Sequence, residues 1–174
     1  MSTPHENASS AAPSPRTLGV VALIAVGASG ALVSPLDFCL DDTWIHLAYA
    51  RSLQLGEGLS YNPGDHETGF SSPLWVVLLA LLPSGEHLVV QVKLLGVLLH
   101  GLSACAAALL AHTMASRVLR MEGRPVHLAQ WGAFLAGTLT ALLGHLLQSA
   151  TSGMEASLAT LLILAVALSS SHER

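Results

Sequence analysis

Two adjacent carboxylates, Asp41 and Asp42, stand immediately before an amphipathic segment, and a further acid, Glu155, opens the last apolar run of the chain. A carboxylate at a helix start has two uses. It can cap the first turn and benefit from the helix dipole, or it can accept the proton of a hydroxyl that is being turned into a nucleophile. The pair taken alone fits capping better, so its surroundings decide. The stretch from 36 to 86 holds seven of the chain's eleven acids (Asp37, Asp41, Asp42, Glu57, Asp65, Glu67 and Glu86), a single base, Arg51, and both tyrosines. It is the part of the chain where chemistry can occur.

The segment 43–55 reads as a helix: Trp44, Leu47, Ala48 and Leu55 share one stripe, Asp42 or Thr43 can cap its start, and Gly56 can end it. A helix of about 13 residues covers roughly 20 Å, too little for a hydrocarbon core of about 30 Å. It is therefore expected to lie along the bilayer surface. Turn residues follow at 61–65, and Ser72-Pro73 then opens a second short apolar helix over 74–82.

Around this loop the chain reads as membrane scaffold. It is 52% hydrophobic and 10% charged, with a mean hydropathy of +0.59, and a soluble core of this size would carry more charge. Residues 1–16 form a polar tail expected to be disordered. The remainder, 17–174, reads as one membrane module with four spans, at 18–35, 87–118, 128–147 and 156–168. A cleaved signal peptide competes for the first span, but its length and the spans behind it favour a retained helix. Lys93 near the start of the second span can snorkel to water. Cys39 and Cys105 make no disulfide framework, and no metal-ligand spacing is present. The expected fold class is all-α integral membrane, with four transmembrane helices and two short interfacial helices in the outer loop. A net charge of −4 fits the expectation of no nucleic-acid partner.

The string DDTWIHLAYARSLQLGEGLSYNPGDHETGFSSPLW, from Asp41 to Trp75, resembles the first extracytoplasmic loop of the bacterial GT-C glycosyltransferases. Within that superfamily it is most similar to the arabinofuranosyltransferase and protein mannosyltransferase-like branch. The string TSGMEASLATLLILA, carrying Glu155, resembles the opening of the fourth membrane helix there. The resemblance implies a plasma-membrane protein of bacteria that transfers a sugar from a polyprenyl-phosphate donor to a glycan or protein acceptor outside the cytoplasm. It also implies roles. Asp41 is the general base, Asp42 a cap or metal ligand, and Arg51 a ligand for the donor phosphate. Tyr49, Asn62, Glu67 and Ser72 become substrate contacts, and Glu155 positions the acceptor or shares a cation. A phosphate leaving group needs no general acid, only a base or a divalent cation to hold it. His46 departs from the family pattern.

Blander readings stand beside these. Trp44, Trp75, Tyr49 and Tyr61 fit an interfacial aromatic belt better than sugar platforms, and His100, His112 and His145 fit packing better than coordination. GT-C enzymes carry many more spans than the four expected here. The resemblance therefore implies either the N-terminal part of such a fold, with little turnover in isolation, or a non-catalytic multi-pass protein or truncated remnant that keeps the loop.

Charge sets the orientation: the acidic loop lies opposite a linker that carries Arg117, Arg120 and Arg124, so the linker belongs in the cytoplasm and the loop outside. A reporter fused after Arg120 is expected to signal cytoplasm and one fused near Gly64 the outer side. The reverse pattern would put Asp41 and Glu155 in the wrong compartment.

Overall fold

The protein is described by a computed structural model covering residues 12–32, 41–62, 64 and 69–172, and all regular structure among the described residues is helical. Glu67, Asp37, Cys39, Asp65 and His66 lie outside them, as do the first eleven residues of the expected tail. The first helix, α1 (Pro15–Leu32), begins earlier than 18. Proline suits the first turn because that turn's N–H groups have no helical acceptor, and the Ser14 hydroxyl accepts the N–H of Thr17 at 3.1 Å. The same Ser-Pro signature opens α3 (Pro73–Ala80), which stays a short helix of its own. Before it comes α2 (Asp42–Gln54), closed by Gly56 at φ 77°.

Helix α4 (Leu88–Met121) is the backbone of the molecule, 34 residues without interruption and about 50 Å long. Among the described residues it alone is long and apolar enough to cross a membrane unaided. Arg117 and Arg120 belong to its last turns rather than to a linker, and Gly123 at φ 65° reverses the chain after it. Cations there suit the helix's negative end. Lys93 corrects another expectation: it is 3% exposed, packed inside rather than snorkelling.

The segment expected as one span, 128–147, is two helices. After a 3₁₀ turn (Val126–Leu128), α5 (Ala129–Leu142) ends at Leu143, whose ψ of 108° leaves helical space, and α6 (Gly144–Ser152) departs at 54°. Helix α7 (Ala156–His172) closes the fold. The physical reason for the bend is tertiary. It lays α6 across α4 so closely that a Cβ on Gly96 would overlap the carbonyl oxygen of Ala150. A second close crossing lies lower down, where a Cβ on Gly137 would stand 2.8 Å from Val21 and 3.1 Å from Ala108.

Side-chain bonds give the helix directions. Ser14 N–H and the Thr17 hydroxyl both donate to Gln130 Oε1, and Gln130 meets His112 at 3.3 Å. The starts of α1 and α5 thus lie beside the end of α4. Ser103 on α4 donates to the Ser157 carbonyl on α7 at 3.1 Å, and Arg117 donates to the Ser171 carbonyl, so α4 and α7 run parallel. One end of the bundle therefore carries the arginines, the other carries α2, α3, α6 and the 153–155 turn. Stripes of large apolar side chains face outward, including Leu94, Leu98 and Leu102 on α4 and Trp131, Leu135 and Leu139 on α5.

The α4–α6 crossing yields a test. Gly96→Val is expected to destabilise the protein by about 3 kcal/mol, through overpacking against backbone that has no room to give. Gly101→Ala, whose added Cβ meets nothing within 4 Å, should be neutral or gain up to about 1 kcal/mol of helix propensity. Thermal unfolding in detergent compares the two, and equal midpoints would contradict the close crossing.

Candidate functional site

Every helix leaves its last carbonyls without intrahelical partners, and the end of α6 shows how this chain uses that fact. Gly153 adopts the left-handed conformation (φ 78°), and Met154 N–H closes back to the Ser149 carbonyl at 3.1 Å. The carbonyls of Ser152 and Gly153 are left pointing away. The Thr43 hydroxyl on α2 donates to the first at 2.6 Å, and the Trp75 indole N–H on α3 donates to the second at 3.0 Å. A third bond runs from the Ser71 hydroxyl to Glu155 Oε1 at 2.9 Å. These three contacts clamp the start of α2, the start of α3 and the α6–α7 turn together.

The clamp settles several positions. Thr43 is fully buried and does not cap its own helix, which corrects one expectation. Asp41 occupies the N-cap place in helical conformation, with no side-chain capping bond, and Asp42 is the first helical residue. Both carboxylates are exposed. The acid pair is therefore held at the bundle end that carries Glu155, free of the capping role that was its simplest explanation.

Tyr49 is only 2% exposed, and its hydroxyl accepts the N–H of Gly69 at 2.8 Å. Its ring packs edge-on against Phe70 at 4.8 Å and tilted against Tyr61 at 5.8 Å. It supports the loop from inside, which corrects its expected place in an interfacial aromatic belt. Trp75, fully buried, likewise leaves the expected aromatic belt, while Trp44 and Tyr61 stay about half exposed. Ser72 is half-buried in extended backbone before α3, its carbonyl accepting the N–H of Val76 at 3.2 Å. Asn62 is exposed.

Arg51 is not brought to the acids. Nine residues of continuous helix separate it from Asp42, which is about 13 Å of rise and two and a half turns. The two side chains leave α2 on opposite sides. Arg51 instead lines a separate groove of about 630 Å³ with Trp44, Leu55 and Leu88.

Beside Glu155 lies a cavity of about 430 Å³ that the sequence did not reveal, lined by His145, Gln148, Ser149, Met154, Glu155, Ala156 and Ala159. Of these residues, Ser149 Oγ and Glu155 Oε2 are closed off from solvent without a hydrogen-bond partner. Such groups are costly unless something binds them. His145, Gln148 and Ser149 fall at i, i+3 and i+4 on α6, so the spacing was readable once α6 was known to be a separate amphipathic helix. His46 is a further buried group, 3% exposed with both ring nitrogens unpartnered. No set of three or more His, Cys, Asp or Glu among the described residues is gathered to hold a metal ion.

Comparison of the chain with family models, with curated proteins and with solved structures finds no match. The clamp itself is testable. Trp75→Phe removes the donor to Gly153 and leaves a buried carbonyl unpaired, a loss expected to be about 1–3 kcal/mol. Asp41→Ala, which removes no capping bond, should cost under about 0.5 kcal/mol. A larger loss for Asp41→Ala than for Trp75→Phe in thermal unfolding would restore capping as the acid's role.

Proposed function

We propose that this chain is a multi-pass membrane module whose outer end carries an acidic site for transferring a sugar from a polyprenyl-phosphate donor to a hydroxyl acceptor. The observation that carries the reading is the clamp, which holds the exposed Asp41–Asp42 pair at the same end as Glu155 and its cavity. In this reading α1 crosses outward, α4 returns, α5 and α6 together cross outward, and α7 returns. The outward-facing leucine stripes support contact with lipid, and the arginine end faces the cytoplasm.

The chemistry follows from the placement. A lipid donor stays in the leaflet and its acceptor arrives from water, so both meet only at the interface. Asp41, exposed and uncommitted to capping, accepts the acceptor's proton as its oxygen attacks the anomeric carbon. Glu155, with the exposed His145 and Gln148 lining the cavity beside it, positions the acceptor. Arg51, about 15 Å of helix rise from Asp41, is left out of the donor site in this reading. Asp42 is left as the ligand for a divalent cation that arrives with the donor, the mode in which Mg²⁺ binds one or two carboxylates together with substrate phosphates.

A non-catalytic membrane protein is the competing reading. The engagement of Tyr49, Ser71 and one Glu155 oxygen in holding the loop together favours it.

The two readings diverge at Asp41. In the full-length polypeptide, assayed in nanodiscs with a polyprenyl-phosphate sugar, Asp41→Asn is expected to lower turnover by roughly 10²-fold to 10⁴-fold with membrane expression unchanged. A smaller loss for Asp42→Asn supports the leading acid as base, and a larger one exchanges the two roles. Near-normal transfer by both variants removes the pair from the mechanism and leaves the non-catalytic reading.

A further inference from the structure

The stripe of α2 that sequence periodicity marks as apolar, with Trp44, Leu47, Ala48 and Leu55 at helical spacing, is taken up by the core only in part. Leu47 is buried with Thr43, His46 and Ala50, whereas Trp44 is 47% and Leu55 64% exposed. Arg51, seven residues after Trp44, falls on the same outer stripe. Its guanidinium makes no ion pair or hydrogen bond with a described residue. The opposite side of the groove is the Ser84–Gly85 turn and the start of α4 at Leu88.

The other polar groups of this groove are already satisfied. Gln54 Nε2 donates to the carbonyls of Ala80 at 2.9 Å and Leu82 at 2.8 Å, and the Ser84 hydroxyl donates to Gln54 Oε1 at 2.7 Å. What remains on offer is apolar surface and one cation. A sugar, nucleotide or peptide needs several polar partners; a molecule with one anionic group and hydrocarbon chains needs only what the groove presents.

We propose that the Arg51 groove is a binding site for an anionic phospholipid of the surrounding bilayer, whose phosphate meets the guanidinium and whose acyl chains lie along Trp44 and Leu55. Arginine suits a phosphate because its planar fork matches the oxygens. The glycosyl donor fits this groove less well. Its anomeric carbon is one oxygen away from phosphorus, and reacting groups must approach within about 3–3.5 Å, while Arg51 sits about 15 Å of helix rise along α2 from Asp41, the proposed base. The site gives α2 a fixed depth at the membrane surface and so fixes the height of the acid pair at its tip. The inference rests on the membrane placement proposed above and is independent of glycosyl transfer.

Native mass spectrometry of the full chain in non-ionic detergent, titrated with phosphatidylglycerol, phosphatidylcholine or polyprenyl phosphate, tests it. Phosphatidylglycerol is expected to be retained in preference to phosphatidylcholine. Arg51→Gln should weaken that retention about fivefold, the effect of one cation at an anionic surface, and Arg120→Gln at the other end should leave it unchanged. Equal retention of both phospholipids, or no effect of Arg51→Gln, overturns the site while leaving the membrane reading intact. Preference for polyprenyl phosphate that is lost in Arg51→Gln overturns it in favour of a donor site. Recovery of the chain in the soluble fraction without detergent defeats the membrane reading and this site with it.

Discussion

A carbonyl group at the end of a helix must find a donor, and where apolar side chains cover the helix end no water supplies one. Four helix ends of this chain meet that requirement with a side chain from another element. Gln54 of α2 serves the end of α3. His100 Nε2 of α4 lies 3.1 Å from the Ala141 carbonyl near the end of α5, so that nitrogen carries the proton. Thr43 and Trp75 serve the end of α6, and Arg117 serves the end of α7. Because each bond joins two elements, satisfying the backbone also fixes the arrangement. The helices are tied at their ends as well as packed along their lengths.

The consequence for the candidate site is mechanical. The acid pair sits on α2, which is only 13 residues long and would be marginal as an isolated helix. Tertiary bonds hold it at both extremities: Thr43 to the α6–α7 turn at one end, Gln54 to the α3 terminus at the other. Tyr49 braces the middle against Gly69 and Phe70. A side chain at the tip of a helix fixed this way keeps its position without bonds of its own, which leaves Asp41 and Asp42 exposed and uncommitted.

Much of the helical layout was legible because it follows local signals. Ser-Pro before α3, Gly56 after α2 and the unbroken apolar pattern from Leu88 onward mark boundaries that the structure shifts by only a few residues. The break at Leu143 was not legible: residues 128–147 carry no proline and only scattered polar residues, with Gly144 the one local cue at the break, and the bend is imposed by the fit of α6 against Gly96 on another helix. The side of α2 that faces inward was not legible for a related reason. Of the stripe that hydrophobicity selected, Leu47 turns in while Trp44 and Leu55 stay out, because α2 has two partly apolar sides and the bonds of Thr43 and Tyr49 set its rotation. Tyr49 and Trp75 look like interfacial aromatics by type, and only their partners show them to be internal struts. The acid pair and Glu155 were legible as residues of one end because charge and span count alone bring them there. Their separation from Arg51 follows from counting turns along a helix whose continuity the structure supplies.

The remaining polar groups at this end set a further constraint on what the site can be. A fold that answers its backbone carbonyls so thoroughly nonetheless leaves Ser149 Oγ, Glu155 Oε2 and both nitrogens of His46 buried and unanswered. Each such group costs about 1–3 kcal/mol unless a partner is present, a cost that His112 Nδ1, Ser116 Oγ and Thr138 Oγ1 along the helix crossings carry as well. Two of the three border the same cavity. Glu155 is held to Ser71 through Oε1, while its second oxygen is closed off from solvent. A hydroxyl entering the neighbouring cavity therefore meets the exposed His145 and Gln148 first, and reaches the second carboxylate oxygen only after the side chain turns. The unpartnered oxygen is repaid only by a ligand that draws it outward, which ties any binding at this wall to a movement of Glu155.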